Sequence, residues 1–412
     1  MDWQRLYADR MALISDRSII ELLKLAERPD VISFAGGLPD PRSFPLEAIK
    51  DVTDWVLDNE GHAALQYGPT PGYTALREWI ADRMERVDHV SLTADHILVT
   101  SGGLEAMDLI GRTFINPGDT VIVEAPTYLA ALHVFRSYQA EIVDVPMDDE
   151  GMQVDILEDR LKDLDRCGIR PKLLYTVPTF QNPSGVTLSE ERRHHLIDVA
   201  DRYGVPIFED PAYAELRFEG EPPSSLISLN PNGVLFASTF SKTFGPGIRL
   251  GWIAAPPSVH TQLCQAKQGS DQCSSTLAQR IIYEYGKRGL LESHIAASIK
   301  LYRTKRNQTL EAISNLFPPD ISWTRPEGGF YLWVTLPPAV DTMSMLAWAI
   351  EHEKVAYVAG SPFYAHGQGK NQFRICFSFP DTNQIEEGVR RLARVVTHHI
   401  ERRHESYHRE VG

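Results

Sequence analysis

The chain has 412 residues, which is long enough for two domains that each bury a hydrophobic core. A formal net charge of −14 excludes nonspecific nucleic-acid binding, because no surplus of basic side chains is present to neutralise phosphates. The four cysteines form no CxxC pair, so neither a zinc site nor a disulfide framework is predicted, and a cytoplasmic location is expected. The sequence has neither a signal-peptide pattern nor an apolar run of membrane-spanning length, so no membrane partner is expected.

The first thirty residues are predicted to form an amphipathic helix that packs across another domain or subunit and ends before Pro29. The segment Val31–Asp40 follows, and its Gly36-Gly37 pair allows the backbone to approach a ligand closely. Two further helices are predicted, Leu46–Asn59 and Leu76–Arg86. Tyr67 lies in the loop between these helices, where a phenol group can point outward.

The segment Ile97–Thr100 is rich in β-branched residues and predicts a strand. It is followed by Ser101-Gly102-Gly103 and by a helical pattern through Ile115. A strand, a glycine-rich turn and a helix N-terminus together present free backbone N–H groups and a positive dipole end, which suit a phosphate. The turn matches neither a Walker sequence nor GxGxxG, so nucleotide binding is not predicted, and a tight turn without a ligand is the alternative.

Strands and helices continue to alternate along the chain. Further strands are predicted at Val121–Ala125, Ile142–Val145, Leu173–Val177, Pro206–Phe208 and Val234–Ser238. A capping box of Thr187 and Glu190 predicts a helix that runs to Tyr203 and stops at Gly204. This order predicts a mostly parallel sheet between two layers of helices, with ligands beyond the carboxyl ends of the strands. The side chains expected to converge there are Tyr128, Asn182, Asp210, Tyr213 and Lys242.

The stretch Ser238–Trp252, STFSKTFGPGIRLGW, places Lys242 directly after a predicted buried strand. Loss of solvation there lowers the pKa of the ammonium and frees an amine that can form a Schiff base with an aldehyde. The hydroxyls of Thr239 and Ser241, with the guanidinium of Arg249, suit a phosphate beside that amine. The combination points to pyridoxal phosphate, whereas a surface lysine near a turn is the alternative.

The last third of the chain predicts one long helix, Leu290–Leu316, which joins a large domain to a small one. Short strands are predicted within Trp323–Leu336, Val355–Val358 and Phe373–Phe377, and a closing helix spans Asn383–Arg403. Arg374 lies within the last of these strands. No metal site is predicted, and four histidines near the end are expected to form a solvated helix tail: His398, His399, His404 and His408.

Motifs spread over nearly the whole chain resemble those of fold-type I pyridoxal-phosphate enzymes of the class I/II aminotransferase family. They read ELLKLAERPDVISFAGGLPD, ALQYGPTPGY, QNPSG, DPAY, SKTFGPGIRLGW, RPEGGFYLWV and FRICFS. The chain is most similar to the branch that contains α-aminoadipate (LysN-like) and kynurenine aminotransferases. The resemblance implies a large domain with a mostly parallel, seven-stranded sheet sandwiched by helices, plus a smaller α+β C-terminal domain. It divides the chain into an N-terminal arm (1–45), a large cofactor-binding domain (46–289), and a linker helix with the small domain (290–412).

The resemblance also implies roles for individual residues. Lys242 matches the Schiff-base lysine, which becomes the general base at the substrate Cα, and Asp210 matches the carboxylate that keeps the pyridine nitrogen protonated. With these two, Tyr128 completes the predicted catalytic set and matches the aromatic residue that stacks on the ring. Asn182 and Tyr213 match hydrogen-bond partners of the ring 3-oxygen. The predicted phosphate ligands are Gly102, Gly103, Leu104, Thr239, Ser241 and Arg249.

On the substrate side, Arg374 matches the arginine that clamps the α-carboxylate of an amino acid or a 2-oxo acid, a task that lysine does poorly. Gly37 and Asn182 are further predicted substrate contacts. Tyr67 matches a residue that reaches the phosphate and the substrate from the neighbouring subunit. The resemblance therefore implies a homodimer with shared active sites.

Two departures from the family pattern bear on the substrate and the cofactor. The aminoadipate branch carries S-x-I-R-E, whose arginine recognises acidic substrates, but in this chain Ile20 stands at that position, so an α-aminoadipate-like substrate is not expected. Ile20 is therefore predicted to contact the substrate through an apolar side chain instead of a charged one. Arg17, about one turn earlier, is the alternative partner for an acidic substrate, although it is not an equivalent one. The usual S/A-Q-Q after the glycine turn is replaced by Gly103-Leu104-Glu105, which keeps the backbone cradle and adds a carboxylate.

The predicted reaction is transamination between an L-α-amino acid and a 2-oxo acid. An alternative diverts the same Cα carbanion to β/γ-elimination or replacement, and no motif separates the two reactions. A third alternative is the ligand-sensing half of a MocR-type transcription factor, which shares this fold. It is disfavoured because no basic recognition helix is found in the residues before VISFAGG.

Overall fold

The computed structural model describes residues 1–13 and 28–411, with side chains described up to residue 401. Residues 14–27 of the predicted N-terminal helix, including Ile20, lie outside the described residues. The described part of it is not α-helical, because Trp3–Leu6 and Asp9–Leu13 form two short 3-10 helices. Neither of these two short helices buries a side chain.

Strands and α-helices alternate along most of the described chain. The strands are β1 Ile32–Ser33, β2 Ile97–Thr100, β3 Thr120–Ala125, β4 Glu141–Asp148, β5 Gly151–Met152, β6 Leu173–Thr176, β7 Ile207–Glu209, β8 Val234–Thr239, β9 Gly251–Ala254, β10 Ser322–Trp323, β11 Tyr331–Thr335, β12 Val355–Ala356, β13 Val358–Ala359 and β14 Gln372–Cys376. The α-helices are α1 Leu46–Ala64, α2 Thr74–Val87, α3 Gly103–Phe114, α4 Leu129–Ser137, α5 Val154–Arg166, α6 Glu190–Tyr203, α7 Leu226–Leu229, α8 Pro257–Gln268, α9 Thr276–Lys287, α10 Leu290–Leu316, α11 Thr342–Trp348 and α12 Thr382–Val411.

The largest sheet of the described chain has eight strands in the order β2-β9-β8-β7-β6-β3-β4-β5. Strands β8, β7, β6, β3 and β4 pair in parallel, whereas β9 and β5 are antiparallel to their neighbours. The sheet has one strand more than predicted, because the chain turns back directly after Asp148 and pairs Gly151–Met152 with β4. The mostly parallel α/β architecture is confirmed.

Helices cover both faces of this sheet because successive side chains along a strand point to opposite sides. On β2, Ile97 and Val99 belong to the core cluster on one face, whereas Leu98 belongs to the cluster on the other. Helices α1, α2, α5, α6 and α9 contribute to the first cluster, and α3, α4 and α8 contribute to the second. The carboxyl ends of the parallel strands are left open between the two helical layers.

A second, smaller sheet contains β10, β11, β14 and β13 in that order, all antiparallel, and shares a core with α10, α11 and α12. The connecting helix α10 has the predicted bounds. Strand β1 pairs in parallel with β12, so the segment around residue 32 packs on this second region. The predicted plan of a large sheet and a smaller α+β region is therefore confirmed.

The predicted capping box at Thr187 is wrong. Helix α6 begins at Glu190, and its N-cap is Ser189, whose Oγ accepts a hydrogen bond from Arg192 N at 3.4 Å. The Thr187 hydroxyl instead accepts a hydrogen bond from Phe180 N at 3.3 Å, which commits it to the preceding loop. Gly204 ends the helix at φ 65, as predicted.

At the C-terminal helix, His398 stacks on Trp348 at 4.5 Å between ring centroids, and His399 meets the same ring edge-on at 5.3 Å. These two histidines are therefore half-buried packing residues rather than a purely solvated tail. Across the described part of the chain, no helix combines the length and the apolar character that a membrane crossing requires.

Candidate active site

A cavity of about 1300 Å³ opens at the carboxyl ends of the parallel strands, where ligands bind in sheets of this kind. Strands β2, β3, β6, β7 and β8 each deliver side chains to it from the residues that follow their last hydrogen-bonded position. The predicted site residues that line the cavity are Gly37, Gly103, Leu104, Tyr128, Asn182, Asp210, Tyr213, Thr239, Ser241, Lys242, Arg249 and Arg374. The structure thus brings together residues that are up to 337 positions apart between Gly37 and Arg374 (374 − 37).

Three predicted residues are not part of this lining. Gly102 lies directly behind it, where an added Cβ would come within 2.8 Å of Arg249 Nη2. Tyr67 is 76% exposed and lies outside the cavity of its own chain. Ile20 belongs to the segment that the structure does not describe.

Lys242 follows β8 and points into the cavity, where its Nζ donates a hydrogen bond to the carbonyl of Gly37 at 2.9 Å. Protein atoms surround the ammonium closely enough to lower its pKa to about 8, and the nearby Arg374 acts in the same direction. Asp210 opposes this change, but burial is the larger influence. At pH 7, one unit below this pKa, about a tenth of Lys242 is therefore neutral, nucleophilic amine, far more than for an ordinary lysine.

Asp210 follows β7 at the floor of the cavity and is 8% exposed. Burial raises the pKa of its carboxyl group to about 6, although two donors stabilise the ionised form. These donors are the Tyr175 hydroxyl, at 2.8 Å from Oδ2, and the Ala212 N–H, at 3.3 Å from Oδ1. A buried carboxylate with two hydrogen bonds and remaining lone pairs is suited to a positively charged N–H donor.

Arg374 on β14 reaches the cavity from the smaller sheet and is 7% exposed. Its Nη1 donates to Asn182 Oδ1 and its Nη2 donates to Ala35 O, both at 2.8 Å. The guanidinium also lies over the Tyr331 ring, with its Cζ 4.4 Å from the ring centroid. Within the described residues its Nε has no hydrogen-bond partner, so a buried donor is left over for an anionic ligand.

At one end of the cavity, a helix N-terminus, two hydroxyl groups and a guanidinium form a set of donors that suits a phosphate. Gly103 is the first residue of α3, so its N–H and that of Leu104 have no partner inside the helix. Thr239 Oγ1 and Ser241 Oγ lie 2.8 Å apart at the end of β8. Arg249 Nη2 donates to Ser101 O at 3.3 Å, which fixes the guanidinium beside the same turn.

Two tyrosines near the site were not predicted from the sequence. Tyr175, within β6, holds Asp210, and Tyr331, at the start of β11, contacts the Tyr213 hydroxyl at 2.8 Å between the two oxygens. Both are fully buried, with exposures of 0% and 1%. A tyrosine within a buried apolar strand is the available signal, because its hydroxyl must find a polar partner.

The family sequence model described as Aminotransferase class I and II matches residues 30–392. The chain belongs to this family. An aromatic-amino-acid aminotransferase 1 of Thermococcus litoralis is 44% identical over 397 residues, which are 96% of this chain and 95% of that protein. A 2-aminoadipate transaminase of Thermus thermophilus is 36% identical over 400 residues, which are 96% of this chain and 98% of that protein.

Solved structures of aminotransferases match the fold as well. The crystal structure of Pyrococcus horikoshii kynurenine aminotransferase, in complex with PMP, gives a TM-score of 0.93 at 43% identity and covers 96% of this chain and 98% of that one. The family and these relatives establish the protein as a pyridoxal-phosphate-dependent aminotransferase with amino-acid and 2-oxo-acid substrates. The elimination or replacement alternative is not favoured.

The residues of the cavity in this aminotransferase fit the cofactor chemically. A phosphate dianion needs N–H and O–H donors, and the start of α3, Thr239, Ser241 and Arg249 supply them at one end of the cavity. Gly102 has φ 95, and a Cβ there would displace the end of the Arg249 side chain, so glycine suits a turn that approaches a ligand with its backbone. Asp210 offers a buried acceptor for a protonated ring nitrogen, and Lys242 offers an amine for an aldehyde.

Proposed function

We propose that Lys242 holds the cofactor by its aldehyde and then serves as the general base at the substrate Cα. The observation that carries this proposal is the amine of Lys242, whose pKa burial lowers to about 8 at the carboxyl end of β8. A neutral amine accepts a proton from Cα and holds it as the ammonium near neutral pH. Pyridoxal phosphate, when bound, supplies the electron sink for the electron pair that remains on Cα after the proton is removed.

Around this amine, each neighbouring side chain has a distinct task. Asp210, oriented by Tyr175, keeps a proton on the pyridine nitrogen, because its ionised carboxylate attracts that cation in a buried environment. Tyr128 would cover one face of the ring, and Asn182 with Tyr213 would donate hydrogen bonds to the ring oxygen. The N–H groups of Gly103 and Leu104 bind the phosphate together with three side chains, namely Thr239, Ser241 and Arg249.

Arg374 orients the substrate. Its free Nε and its two hydrogen-bonded nitrogens form a fixed fork that suits a carboxylate, so the α-carboxylate of either an amino acid or a 2-oxo acid binds there. Gly37 allows the close approach of this substrate end, because a Cβ at this position would collide with the Tyr331 hydroxyl. The carbonyl of Gly37 also holds the Lys242 amine.

We infer that the preferred amino acids have large apolar or aromatic side chains. The cavity of about 1300 Å³ has to take the cofactor as well as the substrate, and it is lined by apolar as well as polar side chains. The two arginines at its rim are already paired, Arg28 with Asp30 and Arg42 with Asp40, so neither is an open partner for a substrate side-chain carboxylate. The name of the Thermococcus litoralis relative agrees with this preference.

The substrate preference is tested by comparing amino donors with one shared 2-oxo-acid acceptor. We expect kcat/KM for phenylalanine and tyrosine to exceed that for aspartate, glutamate and 2-aminoadipate by about tenfold or more, since Arg28 and Arg42, among the residues that the structure describes at the rim, are already paired with carboxylates. Equal or higher kcat/KM with the acidic donors contradicts the inference.

We also propose that the enzyme is a homodimer with shared active sites, in which Tyr67 of each subunit reaches the phosphate end of the other. Its support is the position of Tyr67, which is highly exposed on its own chain, together with an exposed apolar surface on the first thirteen residues, including Trp3 and Leu6. In this arrangement residues 1–45 form an arm, 46–289 the large cofactor-binding domain, and 290–412 the linker helix and small domain.

Substitution of the lysine tests the whole assignment. We expect Lys242→Ala to lower kcat/KM by about a thousandfold or more and to abolish the visible absorbance of the covalently held cofactor. Lys162→Ala, on the exposed face of α5, is the matched control and keeps both properties. Turnover retained by Lys242→Ala at the wild-type level rejects the assignment.

A further inference from the structure

A buried ion cluster lies next to the turn that we assign to the cofactor phosphate. At its centre is Lys267 of α8, whose side chain is 0% exposed. Its Nζ donates to both carboxylate oxygens of Glu105 at 3.0 Å, to both of Asp271 at 2.8 Å, and to Ser274 Oγ at 3.0 Å. These four residues lie outside the cavity lining, so none of them belongs to the site described above.

Ser101 connects this cluster to the cavity. Its backbone N–H donates to the Glu105 carboxylate, and its hydroxyl lies 3.0 Å from Asp271 Oδ2 and 3.1 Å from Ser274 Oγ. Its carbonyl accepts the hydrogen bond from Arg249 Nη2 at 3.3 Å. The residue that immediately precedes the Gly102-Gly103 cradle is thus held from one side by buried charges and from the other by a proposed phosphate ligand.

Glu105 occupies the third position of α3, where a glutamate side chain commonly reaches back to satisfy a free backbone N–H at the helix start. By accepting from Ser101 N, it fixes the chain entering the helix while the N–H groups of Gly103 and Leu104 are left for a ligand. The carboxylate would repel a phosphate at the same helix end, and the ammonium of Lys267, which is shared between Glu105 and Asp271, reduces this repulsion.

Because Lys267 is fully buried, its ammonium group depends on the close contacts that surround it. A buried ammonium is unfavourable unless hydrogen bonds and opposite charges surround it, and Lys267 has two carboxylates and a hydroxyl group as partners. The partners come from two segments that are distant in sequence: Glu105 from the start of α3, and Asp271 with Ser274 from the loop that follows α8. Displacement of Lys267 would leave two neighbouring carboxylates without their shared cation, so the ion pairs hold the start of α3 to the end of α8.

We propose that the cluster of Glu105, Lys267 and Asp271 positions the phosphate turn, with Glu105 as the positioning residue that fixes Ser101. Through Ser101 it keeps the N-terminus of α3 and Arg249 aimed at the same point. The inference rests on the proposed assignment of this turn to the cofactor phosphate. Its consequence is selective: the cluster strengthens binding of a phosphate-bearing cofactor and leaves the binding of the ring and aldehyde unchanged.

The test compares two ligands that differ only in the phosphate, pyridoxal 5′-phosphate and pyridoxal, on the full-length chain freed of cofactor. We expect Glu105→Ala to weaken pyridoxal 5′-phosphate binding by about tenfold or more and pyridoxal binding by about twofold or less. Glu105→Gln has a smaller effect, because its amide oxygen still accepts the Ser101 N–H. Glu85→Ala, an exposed residue on α2, is the matched control and changes neither affinity.

A second readout uses the holoenzyme, because the phosphorus NMR resonance of the bound cofactor reports the surroundings of its phosphate directly. We expect this resonance to move in Glu105→Ala and to remain in place in Glu85→Ala. If Glu105→Ala does not fold, Asp271→Asn carries the same test, since it removes the charged acceptor of the Ser101 hydroxyl.

The possible outcomes separate this inference from the assignment on which it rests. If the variants lose affinity for both ligands equally, or for neither, the positioning role is rejected. If the wild-type chain binds pyridoxal as tightly as pyridoxal 5′-phosphate, the assignment of the turn to the phosphate is itself wrong.

Discussion

At the residue scale, the Asp210 carboxyl group makes cofactor binding depend on pH. Its pKa of about 6, raised by burial, means that the free chain carries a neutral acid below pH 6 and a carboxylate above it. A protonated pyridine nitrogen needs the carboxylate, so we expect affinity for pyridoxal 5′-phosphate to fall as the pH decreases through 6. The apparent Kd measured from pH 5 to pH 8 checks this expectation.

Tyr175→Phe refines this prediction. The Tyr175 hydroxyl lowers the Asp210 pKa by donating to the ionised form, so its removal moves the midpoint of the affinity change upward by roughly half a pH unit to one unit. Tyr138→Phe is the control, because Tyr138 also donates to an aspartate, Asp108, at 2.8 Å, but away from the cavity. A midpoint that stays in place in Tyr175→Phe contradicts the role given to this hydroxyl group.

Arg374 leads to a second prediction at the same scale. In Arg374→Lys the charge remains but the planar fork is lost, so we expect KM for amino acids to rise about 10- to 100-fold, with kcat changed by about threefold or less. Steady-state kinetics with a saturating 2-oxo acid measure both constants. Arg390→Lys, an exposed position on α12, provides the comparison, and a larger loss in kcat than in KM argues against a substrate-orienting role.

The residue scale also shows how far the site is predictable from sequence. Lys242 and Asp210 stand immediately after strands, where strand periodicity and the rules for parallel sheets locate a site. Tyr331 and Ala35 escaped prediction because their contribution depends on the packing of the smaller sheet against the larger one. A local pattern can mark Tyr331 as a buried tyrosine that needs a polar partner, but it does not identify the distant residue that supplies it.

At the element scale, the turn between β2 and α3 depends on glycine. Gly102 has φ 95, and an added Cβ would meet Arg249, whereas Gly118 has φ 84 with open space around it. We expect both Gly102→Ala and Gly118→Ala to lower the free energy of unfolding by about 1 kcal/mol through backbone strain. Only Gly102→Ala should also weaken cofactor binding, because it displaces a proposed phosphate ligand.

Thermal unfolding of the cofactor-free chains measures the shared loss of stability, and titration with pyridoxal 5′-phosphate measures the specific effect. Equal cofactor affinity in the two variants would show that the approach of Gly102 to Arg249 has no part in binding. A loss of affinity in Gly118→Ala would point instead to a general effect of strain.

Elements were predictable where their signals are local and strong. Helix α10 and strand β2 have the predicted bounds, because a long apolar stripe and a β-branched run are unambiguous. The edge strand β5 has only two residues and forms through its pairing with β4. Two residues are too few to show a strand periodicity in the sequence, so β5 was not predicted. The N-cap of α6 was misplaced from Ser189 to Thr187 because both residues carry a hydroxyl group within one turn.

At the scale of the whole molecule, shared active sites can be detected by mixing two defective subunits. We expect Lys242→Ala and Tyr67→Ala each to be poorly active alone, and their random mixture to regain activity. In a hybrid dimer one site combines both defects and the other has none, so about a quarter of all sites become intact. The regained activity is measured after the two proteins are exchanged under mild denaturation and returned to assay conditions.

The control for this experiment mixes Lys242→Ala with Asp210→Asn, because both residues line the cavity of one chain. No hybrid then contains an intact site, so activity stays low. If the Tyr67→Ala mixture also stays low, Tyr67 does not serve the neighbouring subunit.

The segment around β1 has a consequence for how the enzyme is made. Ile32 pairs with Val355, and Arg374 donates to Ala35 across 339 positions of sequence. During synthesis these contacts can therefore form only after residues up to about 374 have been made, although residues 32–35 are made early. The ribosome-bound chain can complete the large sheet early, but it acquires its substrate carboxylate clamp only when the final strands emerge.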